Sequence, residues 1–245
     1  MEFKQTLKQR ANQVESLLKE YMPSEEGYQK TIMESMNYSL SAGGKRLRPI
    51  LTMEACKVVG GNVEDAIPFA MAIEMIHTYS LIHDDLPALD NDDLRRGKPT
   101  NHKVYGEDIA VLAGDALLNE AMNVMMKFSL NHGREALVAS QKIAEAAGAE
   151  GMIGGQVVDI INEGKKISEE ELRYMHMKKT GALIKVSIVA GAILGNASEE
   201  EIELLEKFGE NLGLAFQIKD DILDVIGNTE KLGKKVLSDE ENDKT

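Results

Sequence analysis

The sequence predicts an all-α protein, and three observations lead to this fold class. Apolar residues recur at helical spacing throughout the chain, which indicates amphipathic helices. No Asn-Gly or Asp-Gly pair stands between alternating apolar and polar residues, so β-hairpins are not expected. The chain has 245 residues, of which 43% are hydrophobic and 5 are proline. It is therefore long enough to bury one core, and we expect a single domain over residues 1–245.

Glycine and proline positions divide this domain into helices of about 15 to 30 residues. Two S-x-x-E capping boxes mark helix starts, one at Ser168 and the other at Ser198. Two long core helices are predicted over residues 62–85 and 198–225, and each has aspartates near its C-terminal end. Breaks between helices are predicted at residues 43–44, 60–61, 87, 97–99, 164 and 227–233.

Net charge and composition disfavour several classes of function. The 41 Asp and Glu outnumber the 28 Lys and Arg, which gives a net charge of −13 and disfavours nucleic acid as a partner. Cys56 is the single cysteine, and the first residues lack the apolar core of a secretory signal, so a cytoplasmic location is expected. Residues 182–195 are the longest apolar stretch and include Lys185. They are too short to cross a bilayer, so no membrane span is expected.

The first acidic cluster, DDLPALD at residues 84–90, predicts a metal site. Carboxylates near a helix C-terminus oppose the helix dipole and repel one another, so a cation is expected to compensate them. Pro87 ends the helix, and a turn there would bring Asp90 back beside Asp84. Carboxylates without Cys or His at ligand spacing suit Mg²⁺ and disfavour zinc.

The second acidic cluster is FQIKDDILD at residues 216–224. Gln217, Asp220 and Asp224 follow one another at spacings of three and four, so they can share one face of a helix. Either cluster on its own has an alternative interpretation, because such patterns are common on solvated helix faces. Two clusters in apolar contexts favour a metal site.

Basic residues follow a pair of glycines and also follow the first acidic cluster. They are Lys45, Arg46 and Arg48 after Gly43-Gly44, and Arg95 and Arg96 after the acidic cluster. A Walker A loop is excluded, because Ser39 and Arg46 stand where it requires Gly and Ser or Thr. Such cations suit a diphosphate, with surface salt bridges as the alternative. His77 lies about two helical turns before Asp84 and can reach the same space, with a core histidine as its alternative.

Polar residues interrupt two other apolar segments, at residues 178–181 and at residues 154–156 with Asp159. Buried polar groups need partners, so both interruptions are expected to line a cavity between helices. The residues together predict a helical cup with acidic metal sites, basic phosphate sites and an apolar interior. This arrangement favours the metal-assisted departure of a diphosphate, with the resulting carbocation protected from water.

Seven motifs in order resemble the trans-prenyltransferase, or polyprenyl synthetase, family, and in particular its bacterial farnesyl diphosphate synthases. They cover residues 28–245 and read GGKRLRP, EMIHTYSLIHDDLPALDNDDLRRGKPTNH, GGQ, KTG, FQIKDDILD, LGKK and SDEENDK. The resemblance implies an isoprenoid synthase-type helical bundle around a central apolar cavity, and a homodimer. It also implies head-to-tail condensation of isopentenyl diphosphate with an allylic diphosphate. Family members continue past the position of Lys244 with further helices, so we expect this chain to lack the C-terminal helices.

The same resemblance implies roles for individual residues. Several Mg²⁺ ions would be held by Asp84, Asp85, Asp90, Asp220, Asp221 and Asp224. The allylic diphosphate would be contacted by Arg95, Lys179 and Lys234, and isopentenyl diphosphate by Gly44, Lys45, Arg48, His77 and Arg96. The reacting allylic carbon would lie beside Lys179, Thr180 and Gln217, and the departing diphosphate would accept the proton.

Two residues just before the first acidic cluster predict the product length. Tyr79 and Ser80 lie about one turn before Asp84, where a growing chain would extend along the helix. Aromatic bulk at Tyr79 resembles the fifteen-carbon enzymes of the family, so farnesyl diphosphate is the expected product. The alternatives are a geranylgeranyl diphosphate synthase, a non-catalytic partner subunit that binds prenyl diphosphates, and an Mg²⁺-buffering protein, which would leave the basic residues unexplained.

Overall fold

The structure is a computed structural model that describes the backbone of residues 2–226 and their side chains, except those of residues 220, 221 and 223–226. This part of the chain forms ten α-helices: α1 (Phe3–Leu18), α2 (Lys30–Leu40), α3 (Leu47–Val58), α4 (Val63–Asp84), α5 (Asn101–Tyr105), α6 (Glu107–Ala147), α7 (Met152–Asn162), α8 (Glu169–His176), α9 (Ala182–Leu194) and α10 (Glu199–Ile226). It also contains a 3₁₀ turn (Lys19–Tyr21), a π-helical segment (Met177–Gly181), and strands β1 (Leu94–Arg95) and β2 (Lys98–Pro99). The predicted all-α class is confirmed.

Helix α4 lies at the centre of the bundle, where it packs between α3 and α6. Residues 66–76 of this helix are all buried except Pro68, and a helix that is apolar on every side is typical of a core position. The Asn62 side chain caps its start by accepting a hydrogen bond from the Glu64 backbone N–H. The helix ends at Asp84, so the first of the two predicted core helices is confirmed.

Helices α3 and α9 approach closely because glycine stands at their contact. A Cβ atom on Gly191 would lie 2.1 Å from the Thr52 carbonyl oxygen, which is too short for any side chain. Near the ends of the same helices, a Cβ atom on Gly61 would lie 2.3 Å from the Gly195 Cα atom. Because glycine has no side chain, α3 and α9 can pack with their backbones in contact at these points.

Gly191→Ala is expected to lower the free energy of unfolding by about 1 to 3 kcal/mol, because the added methyl group must push α3 away from α9. Chemical denaturation of the variant and the unmodified protein measures the difference. Gly181→Ala is the matched control, because its Cβ would come no closer than 3.4 Å to a neighbouring atom. A change below about 1 kcal/mol is expected there. Equal losses in the two variants would contradict the importance of the close contact.

Helix α10 has the predicted bounds but not the predicted burial. Among its described side chains only Gly209 and Gly213 are buried, whereas Leu204 and Phe208 are more than half exposed. The prediction of a second core helix is therefore wrong. Apolar periodicity identifies the face of a helix that can be buried, but it does not tell whether another part of the chain covers that face.

Helix starts and breaks agree with the sequence better than helix lengths do. Both predicted capping boxes are present, at Ser168 and at Ser198. The predicted breaks up to residue 164 fall between helices, and the break at 227–233 lies outside the described residues. The described helices include one of only 5 residues, so the predicted lengths are wrong at the short end. The 41 residues of α6 are two shorter helices joined at a kink. Gly133 interrupts the longest helix with a φ of 81°.

A short antiparallel hairpin connects β1 and β2, and the sequence did not predict it. Arg95 is the partner of Lys98 across the hairpin. Arg96 and Gly97 form the turn with φ values of 54° and 76°, and positive values at both positions are the mark of a type I′ turn. Because arginine is uncommon with positive φ, the pair carries no hairpin signal. The expectation of no hairpin is wrong at this place.

Within the described part of the chain, one stretch is long and apolar enough to cross a membrane by length and composition alone. It covers residues 107–162, and 33% of its apolar window is buried. The core helices of soluble proteins meet the same criterion, so this stretch is only weak evidence for a membrane span. The expectation that the protein has no membrane span stays a prediction.

Candidate active site

A cavity of about 720 Å³ lies between α3, α4, α7, the π-helical segment and α10. It confirms the predicted central cavity. Apolar side chains such as Leu81, Met152 and Val157 form part of its wall. The cavity is also bordered by most of the residues that the sequence predicted for the site: Gly44, Lys45, Arg48, His77, Tyr79, Ser80, Asp84, Arg95, Arg96, Lys179, Thr180 and Gln217.

The acidic part of the cavity wall is formed by the C-terminal end of α4. The Asp90 backbone N–H donates a hydrogen bond of 2.8 Å to the Asp84 carbonyl oxygen, so the turn predicted at Pro87 is confirmed. Burial raises the pKa of Asp84 to about 6; Lys179 and Arg95 oppose this rise, and the negative charges of Asp90 and Asp85 add to it. A carboxylate in such surroundings favours a nearby cation.

Asp85 occupies a different environment from Asp84, although the two are adjacent in the chain. Its side chain is buried and accepts a hydrogen bond of 2.6 Å from Arg95 Nε. Burial raises the pKa of Asp85, and Arg95 opposes that rise. Asp85 does not border the cavity, because successive helical residues point in different directions. Its predicted role as a metal ligand stays a prediction.

The second acidic cluster is described only in part. The backbone of α10 is helical through residues 220–224, and Gln217 borders the cavity. The side chains of Asp220, Asp221 and Asp224 lie outside the described residues, as does the whole of Lys234. Among the described side chains, no three from His, Cys, Asp and Glu converge into a metal-binding group. The predicted metal ligands therefore stay predictions.

The basic part of the cavity wall joins the loop before α3 to the β1–β2 hairpin. Gly44 has a φ of 139°, and a Cβ atom there would lie 2.6 Å from the Arg96 guanidinium carbon. The Arg96 guanidinium also donates to the Gly43 carbonyl oxygen. Glycine at position 44 therefore allows the hairpin arginine to close against this loop. Lys45 lies 5.5 Å above the ring of Phe216, which borders the same cavity.

Arg48 and His77 lie deeper in this basic region. Burial lowers the pKa of Arg48 to about 10, and Glu74 opposes this effect. The Arg48 Nε atom is buried without a hydrogen-bond partner in the described part of the chain. Burial and the neighbouring charge of Arg48 lower the pKa of His77 well below its usual value, so His77 is neutral at pH 7. A buried cation with an unused donor suits an anionic ligand.

Arg46 has a structural position that the sequence did not reveal. Its side chain is fully buried, with Nε 2.7 Å from Glu15 and one terminal nitrogen 2.5 Å from Glu74. The other terminal nitrogen donates to the Leu40 carbonyl oxygen at 2.5 Å. Arg46 therefore joins α1, α2 and α4 through protein partners, although in sequence it resembles Lys45 and Arg48, which are predicted to bind phosphate.

Lys179 and Thr180 reach the cavity from the π-helical segment. The Lys179 ammonium donates a hydrogen bond of 2.6 Å to Asp159 on α7. Gln156, also on α7, borders the cavity. Both polar interruptions noted in the sequence thus meet at one place, which confirms that they line a cavity. Asp159, which was grouped with residues 154–156 in the sequence, does not border the cavity. Its bond to Lys179 was not predicted.

Tyr79 and Ser80 form the part of the wall that lies one turn before Asp84. The Tyr79 ring is only 5% exposed, and its hydroxyl has no hydrogen-bond partner among the described residues. Burial raises the pKa of this hydroxyl to about 12. The Ser80 hydroxyl donates to the His77 carbonyl oxygen at 2.9 Å. Tyr79 therefore contributes bulk to the wall, because its polar group is not used.

A family model described as polyprenyl synthetase matches residues 29–245 of this chain. The chain belongs to the polyprenyl synthetase family. This agrees with the resemblance carried by the seven sequence motifs. The family membership also agrees with a cavity that is bordered by both acidic and basic side chains.

Several curated relatives in the polyprenyl synthetase family are similar over almost the whole chain. A farnesyl diphosphate synthase of Micrococcus luteus is 50% identical over 231 residues, which cover 94% of this chain and 78% of that protein. A farnesyl diphosphate synthase of Geobacillus stearothermophilus is 48% identical, covering 98% and 81%. A geranylgeranyl diphosphate synthase of Cyanophora paradoxa is 47% identical, covering 95% and 78%.

Solved structures in the polyprenyl synthetase family share the fold. A synthase from Zymomonas mobilis, described as an FPP/GFPP synthase, has a TM-score of 0.84 and 38% identity, covering 96% of this chain and 83% of that chain. A geranylgeranyl pyrophosphate synthase has a TM-score of 0.86 and 33% identity, covering 98% and 70%. The isoprenoid synthase-type bundle predicted from the sequence is therefore confirmed.

Proposed function

We propose that the protein is a farnesyl diphosphate synthase. It condenses isopentenyl diphosphate with dimethylallyl diphosphate and then with geranyl diphosphate. The observation that carries this proposal is that one cavity is bordered by Asp84, by Arg48 and Arg96, and by apolar side chains. Relatives named farnesyl diphosphate synthases, which are identical to this chain at about half of the aligned residues, support the same assignment.

The two walls would hold the two substrates in position for reaction. Arg95 and Lys179 contact the allylic diphosphate beside Asp84, and Lys234 is proposed to do so from outside the described residues. Isopentenyl diphosphate is held on the opposite wall by Gly44, Lys45, Arg48, His77 and Arg96. This separation points both reacting carbons into the apolar space, where holding them in contact removes most of the entropic barrier. Neutral His77 donates a hydrogen bond without adding charge.

Magnesium is the cofactor that we propose for the acidic wall. Asp84 fits this ion, because burial and neighbouring carboxylates disfavour its negative charge unless a cation is close. The complete proposed ligand set is Asp84, Asp85, Asp90, Asp220, Asp221 and Asp224. When bound, Mg²⁺ neutralises charge on the departing diphosphate. Thr180 and Gln217 then face the allylic carbon, and the departing diphosphate accepts the proton that the condensation releases.

Product analysis tests the proposal. The purified protein is supplied with Mg²⁺, dimethylallyl diphosphate and isopentenyl diphosphate, and the products are separated by chain length. Farnesyl diphosphate as the main product is the expected result. Mainly geranylgeranyl diphosphate would favour the second candidate, which relatives such as the Cyanophora paradoxa enzyme support. Binding of prenyl diphosphates without turnover would identify a non-catalytic partner subunit.

Tyr79→Ala is expected to shift the main product from fifteen to twenty or more carbons. The buried ring occupies the wall along which the chain extends, and its removal opens space there. Chromatography of the products after complete conversion measures the shift. Tyr79→Phe is the control, because it keeps the ring and removes only a hydroxyl that has no partner within the described residues. If Tyr79→Ala still stops at fifteen carbons, this residue does not set product length.

We also propose that the protein is a cytoplasmic homodimer with one prenyl synthase domain over residues 1–245. Support for the dimer comes from α6, which exposes the apolar side chains of Leu112, Met126 and Leu130. Such a surface is typical of a face that meets another protein chain. Support for the location comes from the single buried Cys56 and the acidic composition.

A further inference from the structure

Asp159 stands outside the cavity but is bonded to a residue that borders it. The distance from Lys179 Nζ to Asp159 Oδ2 is 2.6 Å. The Asp159 side chain is 11% exposed and the Lys179 side chain 28% exposed. Lys179 borders the cavity together with Asp84, whereas Asp159 does not border it. The direct connection from Asp159 to a substrate in the cavity therefore runs through Lys179.

Helix α7 contacts both the backbone and the charged end of Lys179. Gly155 and Asp159 are one helical turn apart and share a face of α7. A Cβ atom on Gly155 would lie 2.2 Å from the Lys179 backbone nitrogen, so the helix touches the lysine backbone directly. Lys179 itself lies in the π-helical segment, a conformation found frequently at functional sites. One face of α7 thus fixes this lysine at both ends.

A lysine gains from such a contact because its side chain is long and flexible. When a ligand binds, a flexible lysine side chain loses rotamer entropy because it becomes fixed in one conformation. If a partner within the protein already fixes the side chain, this entropy is lost on folding and does not weaken ligand binding, which is the benefit of preorganisation. The ammonium has three N–H donors, and the bond to Asp159 uses one of them. Further donors are left for the oxygens of a diphosphate.

We infer that Asp159 is a positioning residue that holds the Lys179 ammonium where a diphosphate leaves the allylic substrate. The inference rests on the proposed function and extends it to a residue outside the cavity. Arg48 and Arg96, which are proposed to bind isopentenyl diphosphate, lie on α3 and in the turn of the hairpin, and not on α7. Loss of Asp159 is therefore expected to affect one substrate and not the other.

A double-mutant cycle on prenyl transfer tests this inference. The unmodified protein is compared with Asp159→Ala, Lys179→Met and the double variant. Asp159→Ala is expected to lower kcat/KM for geranyl diphosphate on the order of tenfold to a hundredfold, with an unchanged KM for isopentenyl diphosphate. In the Lys179→Met background the same substitution is expected to have no further effect. Asp159→Asn keeps an acceptor oxygen and is expected to lose less than Asp159→Ala.

Two kinetic outcomes would overturn the inference. An equal loss with and without Lys179 would show that Asp159 does not act through this lysine, and an equal rise in KM for both substrates would indicate a purely structural role. If Asp159→Ala does not fold, the Asp159→Asn series is judged by the same criteria. Glu206→Gln is the control, because Glu206 pairs with Lys185 at 3.0 Å and does not border the cavity. It is expected to leave the kinetic constants unchanged.

Calorimetric titration with Mg²⁺ and inorganic diphosphate separates this inference from the proposed function. Weaker diphosphate binding by Asp159→Ala than by the unmodified protein is expected. Equal binding by the two would contradict the inference, whatever the kinetic result. If the unmodified protein binds diphosphate but transfers no prenyl group, the proposed function is wrong, while the effect of Asp159 on diphosphate binding can still be measured.

Discussion

Replacing Asp84 by asparagine is expected to lower the rate of prenyl transfer about a thousandfold or more. A metal ion supplies several kcal/mol of charge stabilisation to a transition state, and each 1.4 kcal/mol or so corresponds to about tenfold in rate. Asparagine has the shape of aspartate but lacks the charge that holds the proposed Mg²⁺. Steady-state assays over a wide range of Mg²⁺ concentrations measure the loss and show whether excess metal restores part of the rate.

Asp93→Asn is the matched control for this experiment. Asp93 belongs to the same acidic segment, but its side chain is 76% exposed and pairs with Lys103 at 2.7 Å. A change of less than about twofold is expected, because exposed ion pairs contribute little. Circular dichroism confirms that both variants are folded. Normal activity in Asp84→Asn would refute the proposed metal site on α4.

Replacing Arg46 by methionine is expected to lower the free energy of unfolding by about 3 to 5 kcal/mol, which is typical when one partner of a buried ion pair is removed. The guanidinium has ion pairs to Glu15 and Glu74 and a hydrogen bond to the Leu40 carbonyl oxygen. The Glu74 side chain is only 2% exposed, so it is left as a buried charge without its closest partner. Urea denaturation followed by circular dichroism measures the difference.

Arg10→Met provides the comparison for Arg46. Arg10 pairs with Glu54 at the similar distance of 2.7 Å, but both side chains are more than a third exposed. A loss below about 1 kcal/mol is expected from this surface pair. A loss of similar size in Arg46→Met would mean that the buried network stabilises the fold no more than a surface contact does.

The features that the sequence predicted best are those set by local chemistry. Proline cannot continue a helix comfortably, so Pro87 was enough to predict the turn that returns Asp90 to Asp84. The capping box at Ser198 likewise depends only on residues within one turn. By contrast, the hairpin turn was not predicted, because Arg96 adopts positive φ only with support from distant residues such as Gly43.

The features that could not be predicted depend on distant partners. Arg46 and Arg48 are two positions apart, chemically alike and both at the cavity, yet Arg46 is bonded to Glu15 and Glu74, while the buried Nε of Arg48 has no partner among the described residues. No local signal distinguishes them. In the same way, the sequence presents two adjacent aspartates, and only the fold shows that Asp85 is bonded to Arg95. Which member of a charged run enters a site is decided by tertiary packing.

The unused hydroxyl of Tyr79 has a consequence for how this family can diverge. Since the group has no partner among the described residues, a change of side chain here breaks no hydrogen bond to any of them. If Tyr79 sets product length as proposed, a single substitution is enough to exchange one product for another. This agrees with the comparisons, in which relatives named for different products are almost equally similar to this chain.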